Sequence, residues 1–368
     1  MAGVGASGWM PGWSIAAPAG AALLLALKFG GVIPADAALT LILAGILLAA
    51  SVFAAVHHAE VVALKVGEPF GSIVLAISVT VIEVALIVSI MLGGAAGSET
   101  VARDTVFAAA MIVLNIIVGL CLLVGGRRHL EQAFRLDGTA AALAVLGTLA
   151  TLAMILPNHT TQLPGPFYSF AQLMFVSMAS LVLYGAFVFV QTIRHRDYFV
   201  AIGREADAEG HDAARPPARA AWQGLAMLIV SLTAVILLAK LLSHPLESGV
   251  AALGLPGTFV GVIIAMIVLL PEGIASVRAA AANHLQTSLN LALGSALASI
   301  GLTIPAVAAA AIYMGKNIAL GIGPEETVLL ILSLFVATIT LGTGRTTILQ
   351  GLVHLVIGCV FVFLAATH

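Results

Sequence analysis

Apolar runs recur from one end of the chain to the other, each closed by a short polar or glycine-proline stretch. A helix of about 20 apolar residues crosses the roughly 30 Å hydrocarbon core of a bilayer. A membrane β-barrel would instead show alternating segments of about ten residues. The pattern predicts an all-α polytopic membrane protein with eleven spans, near 17–33, 37–56, 71–93, 105–124, 138–156, 167–193, 221–242, 257–281, 286–313, 325–341 and 346–366. The one long polar stretch, from Arg194 to Arg219, closes with Pro216-Pro217 and reads as a solvated linker. It divides the chain into an N-terminal segment with a leading helix (1–36), a first five-helix set (37–193), the linker (194–220) and a second five-helix set (221–368).

Composition agrees with a lipid solvent. Hydrophobic residues make up 61% of the chain and charged residues 9%, against about 25% charged in a soluble domain. Cys121 and Cys359 lie inside apolar runs and read as small core residues, not as a disulfide or zinc site. The absence of a basic patch and of a phosphate-cradling glycine motif excludes nucleic-acid and nucleotide partners. No cofactor is implied. The partners expected are an inorganic cation, protons and the bilayer itself. The pattern carries no signal for an oligomeric state.

Sidedness follows from Lys and Arg. Eleven of the fifteen fall after even-numbered spans, among them Lys65, Arg127, Arg128, Arg194 and Arg345. Positive loops stay inside, so the N-terminus and the linker are expected in the cytoplasm and the C-terminus outside, in an inner (plasma) membrane. Five spans is an odd number, so corresponding helices of the two sets cross in opposite directions. Gly67-Glu68-Pro69 ahead of span three is echoed by Gly254-Leu255-Pro256 ahead of span eight. Inverted repeats with a midplane site are a common transporter architecture.

Of seventeen acidic residues, two lie deep within spans: Glu83 in span three and Glu272 in span eight. A carboxylate at the bilayer centre costs at least about 2.5–3.5 kcal/mol and is rarely idle; its bland alternative is a protonated Glu bonded to a neighbouring helix. Pro271 removes the donor to the Ile267 carbonyl and Gly273 permits a bend, so span eight is expected to open beside Glu272. Asn115 in span four and Ser295 and Ser299 in span nine supply neutral oxygens at similar depth, and Thr80 and Ser276 share the faces of the two glutamates. Two carboxylates among neutral oxygens suit Ca²⁺. Na⁺ or K⁺ fits the same site with different charge bookkeeping. Burial and mutual repulsion raise both carboxylate pKa values, so protons compete for the pair.

His57, His58 and Glu60 after span two, with Glu68 before span three, form a candidate cytoplasmic entry or pH sensor, or else an interfacial turn. His354 in span eleven is a candidate for a proton relay or a packing residue. A cation channel is the rival reading of the midplane glutamates. An intramembrane enzyme is disfavoured, because no HExxH, paired Asp or Ser/His arrangement lies within the spans.

The stretches GEPFGSIVLAISVTVIEVALIVSIML, VLLPEGIASVRAAAANHLQTSLNLALGSALASIGLTIPAV and GTGRTTILQGLVHL resemble the bacterial calcium/proton exchangers of the cation/calcium exchanger superfamily. The branch they resemble most is that of the sodium/potassium/calcium–proton antiporters of bacterial inner membranes. The resemblance implies a secondary antiporter, not an enzyme, with ten core helices in two inverted repeats plus one leading helix. It implies Glu83 and Glu272 as ion and proton carriers, with the helices of Asn115 and Ser295 completing the site. Two positions depart from the family pattern: Ile82 stands where a proline is usual, and Ala298 where calcium exchangers often have glutamine.

Overall fold

A computed structural model describes residues 9–34, 37–67, 70–93, 98–200 and 215–367. Glu68 and most of the linker lie outside the described residues. Eleven helices among the described residues are long and apolar enough to cross a membrane. They are α1 (Gly12–Phe29), α2 (Ala38–Val66), α3 (Phe70–Gly93), α4 (Val101–His129), α5 (Leu136–His159), α6 (Phe170–Arg194), α7 (Ala218–Ala252), α8 (Phe259–Ala281), α9 (Leu285–Met314), α10 (Pro324–Leu341) and α11 (Ile348–Thr367). Large apolar side chains such as Phe175, Trp222 and Phe363 are exposed on them, as a lipid solvent allows.

The all-α expectation holds, with one short ladder beside the helices. Gln132–Ala133 and Arg345–Thr346 form a short antiparallel ladder, β1 and β2, joining the turn after α4 to the turn before α11. Arg345, at this ladder, pairs with Glu131 at 3.3 Å on the surface.

The helices fall into two compact units. The first holds α1, α2, α3 and α7. Here α2 and α7 are 29 and 35 residues long, about 43 and 52 Å at 1.5 Å per residue. Both run some ten residues past their predicted ends, and the reason is local. His57, His58 and Glu60 read as the start of a polar turn, yet they sit inside α2, where each histidine reaches a backbone carbonyl at or just before α1. Pro18 cannot donate to the Ser14 carbonyl one turn back. His58 Nε2 donates to that carbonyl instead, at 3.0 Å and fully buried. His57 Nε2 lies 3.3 Å from the Trp9 carbonyl. Close backbone approach completes the unit: a Cβ on Gly224 of α7 would meet Val61 at 3.3 Å, and one on Gly71 of α3 would meet the Ala63 carbonyl at 2.7 Å.

The second unit holds α4–α6 and α8–α11, with α4 heavily buried at its centre. Glycines let α11 lie against α4: a Cβ on Gly351 would meet the Leu123 nitrogen at 2.6 Å, and one on Gly358 would meet Ile116 at 2.9 Å. The loop from Ile318 to Ile322 is buried although it is not helical. Its backbone is satisfied by Glu99, Met154 and Pro166 and by Arg103, which donates to the Gly321 carbonyl at 2.9 Å.

Among the described residues four helices carry a π-helical turn: Ile112–Ile117 in α4, Thr151–Ile155 in α5, Val190–Arg194 in α6 and Ser299–Thr303 in α9. Such wide turns insert one residue into the ladder and concentrate at functional sites. Two of them fall in α4 and α9, the spans that the sequence repeat pairs.

Candidate functional site

Glu83 lies in the first unit and Glu272 in the second. In the first unit α3 carries Glu83, only 2% exposed, with Ile82 beside it and Thr80 one turn earlier. The Thr80 hydroxyl is buried and makes no hydrogen bond. That contrasts with Ser78 and Ser89 on the same helix, which donate to the carbonyls four residues back at 2.8 and 2.6 Å, the usual resting state of a helical hydroxyl. Two further buried hydroxyls of this unit, Ser51 of α2 and Ser231 of α7, are likewise without a partner. The sequence reading passed over both, because a serine in an apolar run carries no mark of whether it will bond its own helix.

In the second unit α8 carries Glu272. The residue is half-buried and both carboxylate oxygens are shielded from solvent. α8 runs as helix from Phe259 to Ala281 with Pro271 inside it, where proline has no N–H to give the Ile267 carbonyl. Gly273 provides a close contact. A Cβ there would lie 3.2 Å from Ile117 Cδ1, so α8 seats beside Glu272 onto the wide turn of α4. Ser276, one turn after Glu272, is fully buried with an unbonded hydroxyl. On α9, which also packs against that turn, the Ser295 hydroxyl is buried and unbonded, and Ser299 is 3% exposed at the start of the α9 π turn.

Asn115 stands inside the α4 wide turn and is fully buried. Its Nδ2 donates to the Met111 carbonyl at 3.2 Å and to Ser333 Oγ at 2.8 Å. A carbonyl accepts only, which fixes which end of the amide faces it. Ser333 in turn donates to the Leu329 carbonyl at 2.7 Å. Both amide hydrogens are thus engaged, and Oδ1 is left buried without a donor. An acceptor oxygen held open in this way is what a cation or a protonated group requires. Ser333 was not foreseen; its signal was a lone serine in the middle of span ten.

At one end of the second unit a cleft is lined by Asp104, Glu325 and Glu326 with Thr258, Phe107 and Phe361. Asp104 accepts from Thr100 at 2.7 Å and from Arg103 at 2.8 Å. No cluster of three or more His, Cys, Asp or Glu residues with metal-holding geometry occurs among the described residues. Glu60 is exposed on α2. His57 and His58 are occupied in holding α1.

Eleven helices among the described residues are long and apolar enough to cross a membrane, and carboxylate, amide and hydroxyl groups are buried within them, as in a polytopic membrane protein. Residues 37–193 and 223–367 match the model of the sodium/calcium exchanger proteins, and the chain belongs to that family, within the cation/calcium exchanger superfamily. It is 54% identical to the y4hA protein of Sinorhizobium fredii over 98% of this chain and 97% of that one. It is 36% identical to the sodium-potassium/proton antiporter ChaA of Escherichia coli over 86% and 85%. Among solved structures it resembles native YfkE, with TM-score 0.74 and 16% identity over 97% of this chain and 100% of that one. It also resembles the H⁺/Ca²⁺ exchanger CAX, with TM-score 0.66 and 14% identity over 96% and 92%. The protein is therefore a multi-pass secondary transporter, a cation exchanger whose ions are substrates, and not an enzyme. The leading helix α1 lies outside the matched residues.

Proposed function

We propose that this chain exchanges cytoplasmic Ca²⁺ for external protons across a bacterial inner membrane, with Glu83 and Glu272 as the shared cation and proton carriers. The observation that carries the site is the open Oδ1 of Asn115 in the wide turn against which α8 packs next to Glu272. Thr80, Ser276 and Ser295 support it, because each keeps a buried oxygen off its own helix. Hard oxygen donors of this kind suit Ca²⁺, and two carboxylates neutralise one such ion. When protons arrive, the same carboxylates accept them and the ion leaves. The inward proton gradient then drives cation export, with the N-terminus and the linker in the cytoplasm by the positive-inside bias.

A second reading keeps the site and changes the cargo. The relative named as a sodium-potassium/proton antiporter is 36% identical, whereas one named as a Ca²⁺/H⁺ antiporter, from Aphanothece halophytica, is 28% identical. Ala298 in place of a glutamine amide also leaves the site one oxygen poorer. Everted vesicles energised to an acid interior separate the two. Ca²⁺ dissipates the gradient on the first reading, and Na⁺ or K⁺ alone does so on the second. A cation conductance that needs no counter-moving proton would instead indicate a channel and defeat both.

A further inference from the structure

A helix leaves its last carbonyls without donors of its own, and α8 meets this need in two ways. Asn283, just past its end, takes the left-handed conformation at φ 63°. The Asn283 N–H donates to the Ala280 carbonyl at 3.1 Å and the His284 N–H to the Ala279 carbonyl at 2.9 Å, the two bonds of a Schellman ending. The other donors come from the end of α4 and the turn after it. His129 Nε2 donates to the Ala281 carbonyl at 3.1 Å, with Arg128 beside it at 3.4 Å. Gln132 Nε2 donates to the Ala280 carbonyl at 3.0 Å and to Asn283 Oδ1 at 2.9 Å. Gln132 is buried, and its Oε1 lies against Gly125 of α4, where a Cβ would collide with it.

The turn that presents His129 and Gln132 is strained. The Glu131 N–H bonds the His129 carbonyl at 2.7 Å, closing a three-residue turn on Leu130 at φ 63°, ψ −58°. That is the rare γ-turn, which a bulky residue ordinarily avoids. Leu130 gains no burial in exchange, since it is 82% exposed. Strained backbone persists where its surroundings over-determine it, and it clusters at functional sites. Here its two neighbours are bonded to α8. Elsewhere α8 touches α4 at two glycines: a Cβ on Gly261 would meet the Asp104 carbonyl carbon at 2.7 Å, and one on Gly273 would meet Ile117. Those contacts set how near the helices lie. Hydrogen bonds are directional, so a slide of one residue, about 1.5 Å, breaks them. They therefore set how far along α4 the helix stands, and Glu272 lies about two turns before Ala280 on the same helix.

We propose that Gln132 is a positioning residue of the cation site: its amide clamps the end of α8 to the turn after α4 and so fixes the depth of Glu272 relative to Asn115. This rests on the reading of Glu272 and Asn115 as cation ligands. Gln132 acts through the register of α8 and does not touch the ion. Its loss weakens cation binding more than it slows the exchange step.

The test uses the full chain in proteoliposomes, driven by whichever of Ca²⁺, Na⁺ and K⁺ the unaltered protein exchanges. Q132M fills the volume without a donor. Q132E keeps the shape but turns acceptor oxygens on the Ala280 carbonyl and Asn283 Oδ1. L130G relieves the strained turn and leaves both hydrogen bonds of Gln132 in place. Q132M and Q132E are expected to raise the apparent KM about three- to tenfold, the worth of one hydrogen bond, with maximal rate within about twofold. L130G is expected to keep a native KM. A native KM in Q132M and Q132E overturns the proposal, and so does a rise in L130G equal to theirs, which would assign the effect to the turn and not to the amide. Should Q132M fail to fold, Q132E against L130G decides in the same way. E272Q is run alongside: if it still exchanges cation, the site reading fails; if it is inactive while Q132M and Q132E keep a native KM, only this inference fails.

Discussion

Asn115 and Ser333 stand 218 residues apart in sequence, and the amide of one donates to the hydroxyl of the other at 2.8 Å. With the Met111 carbonyl taking the second amide hydrogen, the bond leaves Asn115 a single open atom, Oδ1. Ser333→Ala removes one acceptor and frees the amide to turn. The expected result is an apparent cation KM raised about three- to tenfold, recovered in Ser333→Thr. Asn115→Ala, which removes the oxygen itself, is expected to cost more than tenfold in transport, on the order of the 1–3 kcal/mol of a lost buried partner. Initial rates of cation-driven proton movement in proteoliposomes check both.

The clamp between α1 and α2 is a matter of stability. Pro18 leaves the Ser14 carbonyl without a helical donor, and His58 supplies one. His58→Ala leaves a buried carbonyl bare and is expected to cost about 1–3 kcal/mol. The loss should show first as faster amide exchange in Gly12–Phe29, with α4 and α11 unaffected. Uniform exchange across all helices would contradict it.

How much of this was legible beforehand depended on how local the determinant is. The bounds of α3, and Glu83 within it, came from one apolar run and its single carboxylate, and the structure keeps both. The ends of α2 and α7 were read some ten residues short. Their last turns carry His57, His58 and Glu60, or His244, Pro245 and Glu247, and polarity there reads as a loop unless the partner helix is known. The wide turns left no trace in composition, since a π turn is built from the same Ile, Val, Leu and Ser as its neighbours. Grouping was also hidden: α7 follows the linker in sequence, yet packs with α1–α3.

Glycine contacts predict a sharp contrast. A Cβ on Gly351 would lie 2.6 Å from the backbone nitrogen of Leu123, whereas one on Gly185 would meet nothing within 4 Å. Gly351→Ala is expected to destabilise by about 1–3 kcal/mol or more as α11 is forced off α4. Gly185→Ala should be neutral or stabilising by up to about 1 kcal/mol through helix propensity. Thermal unfolding in one detergent, with both variants side by side, measures the difference. Equal melting temperatures would count against the close approach.

Tyr168 gives a pH-dependent prediction. Burial pushes its phenol up to about 12, so the hydroxyl keeps its proton and its bond to the Leu152 carbonyl throughout the neutral range. A pKa raised in the folded state means stability that is complete below the unfolded value of about 10 and lost as pH climbs through the folded one. Tyr168→Phe is therefore expected to lower stability by about 1–3 kcal/mol, with the same deficit at pH 6 and pH 8. The deficit should shrink only above about pH 10. A difference that changed between pH 6 and 8 would assign the effect to another group.

The central claim is that Glu83 and Glu272 carry both the cation and the proton. Its most direct test is proton flux in everted vesicles bearing the unaltered protein, Glu83→Gln or Glu272→Gln, each challenged with Ca²⁺, Na⁺ and K⁺. The account predicts that at least one cation dissipates the acid interior through the unaltered protein, and that either substitution alone abolishes the response while the protein remains in the membrane. A response that survives Glu83→Gln or Glu272→Gln with native rate would contradict it.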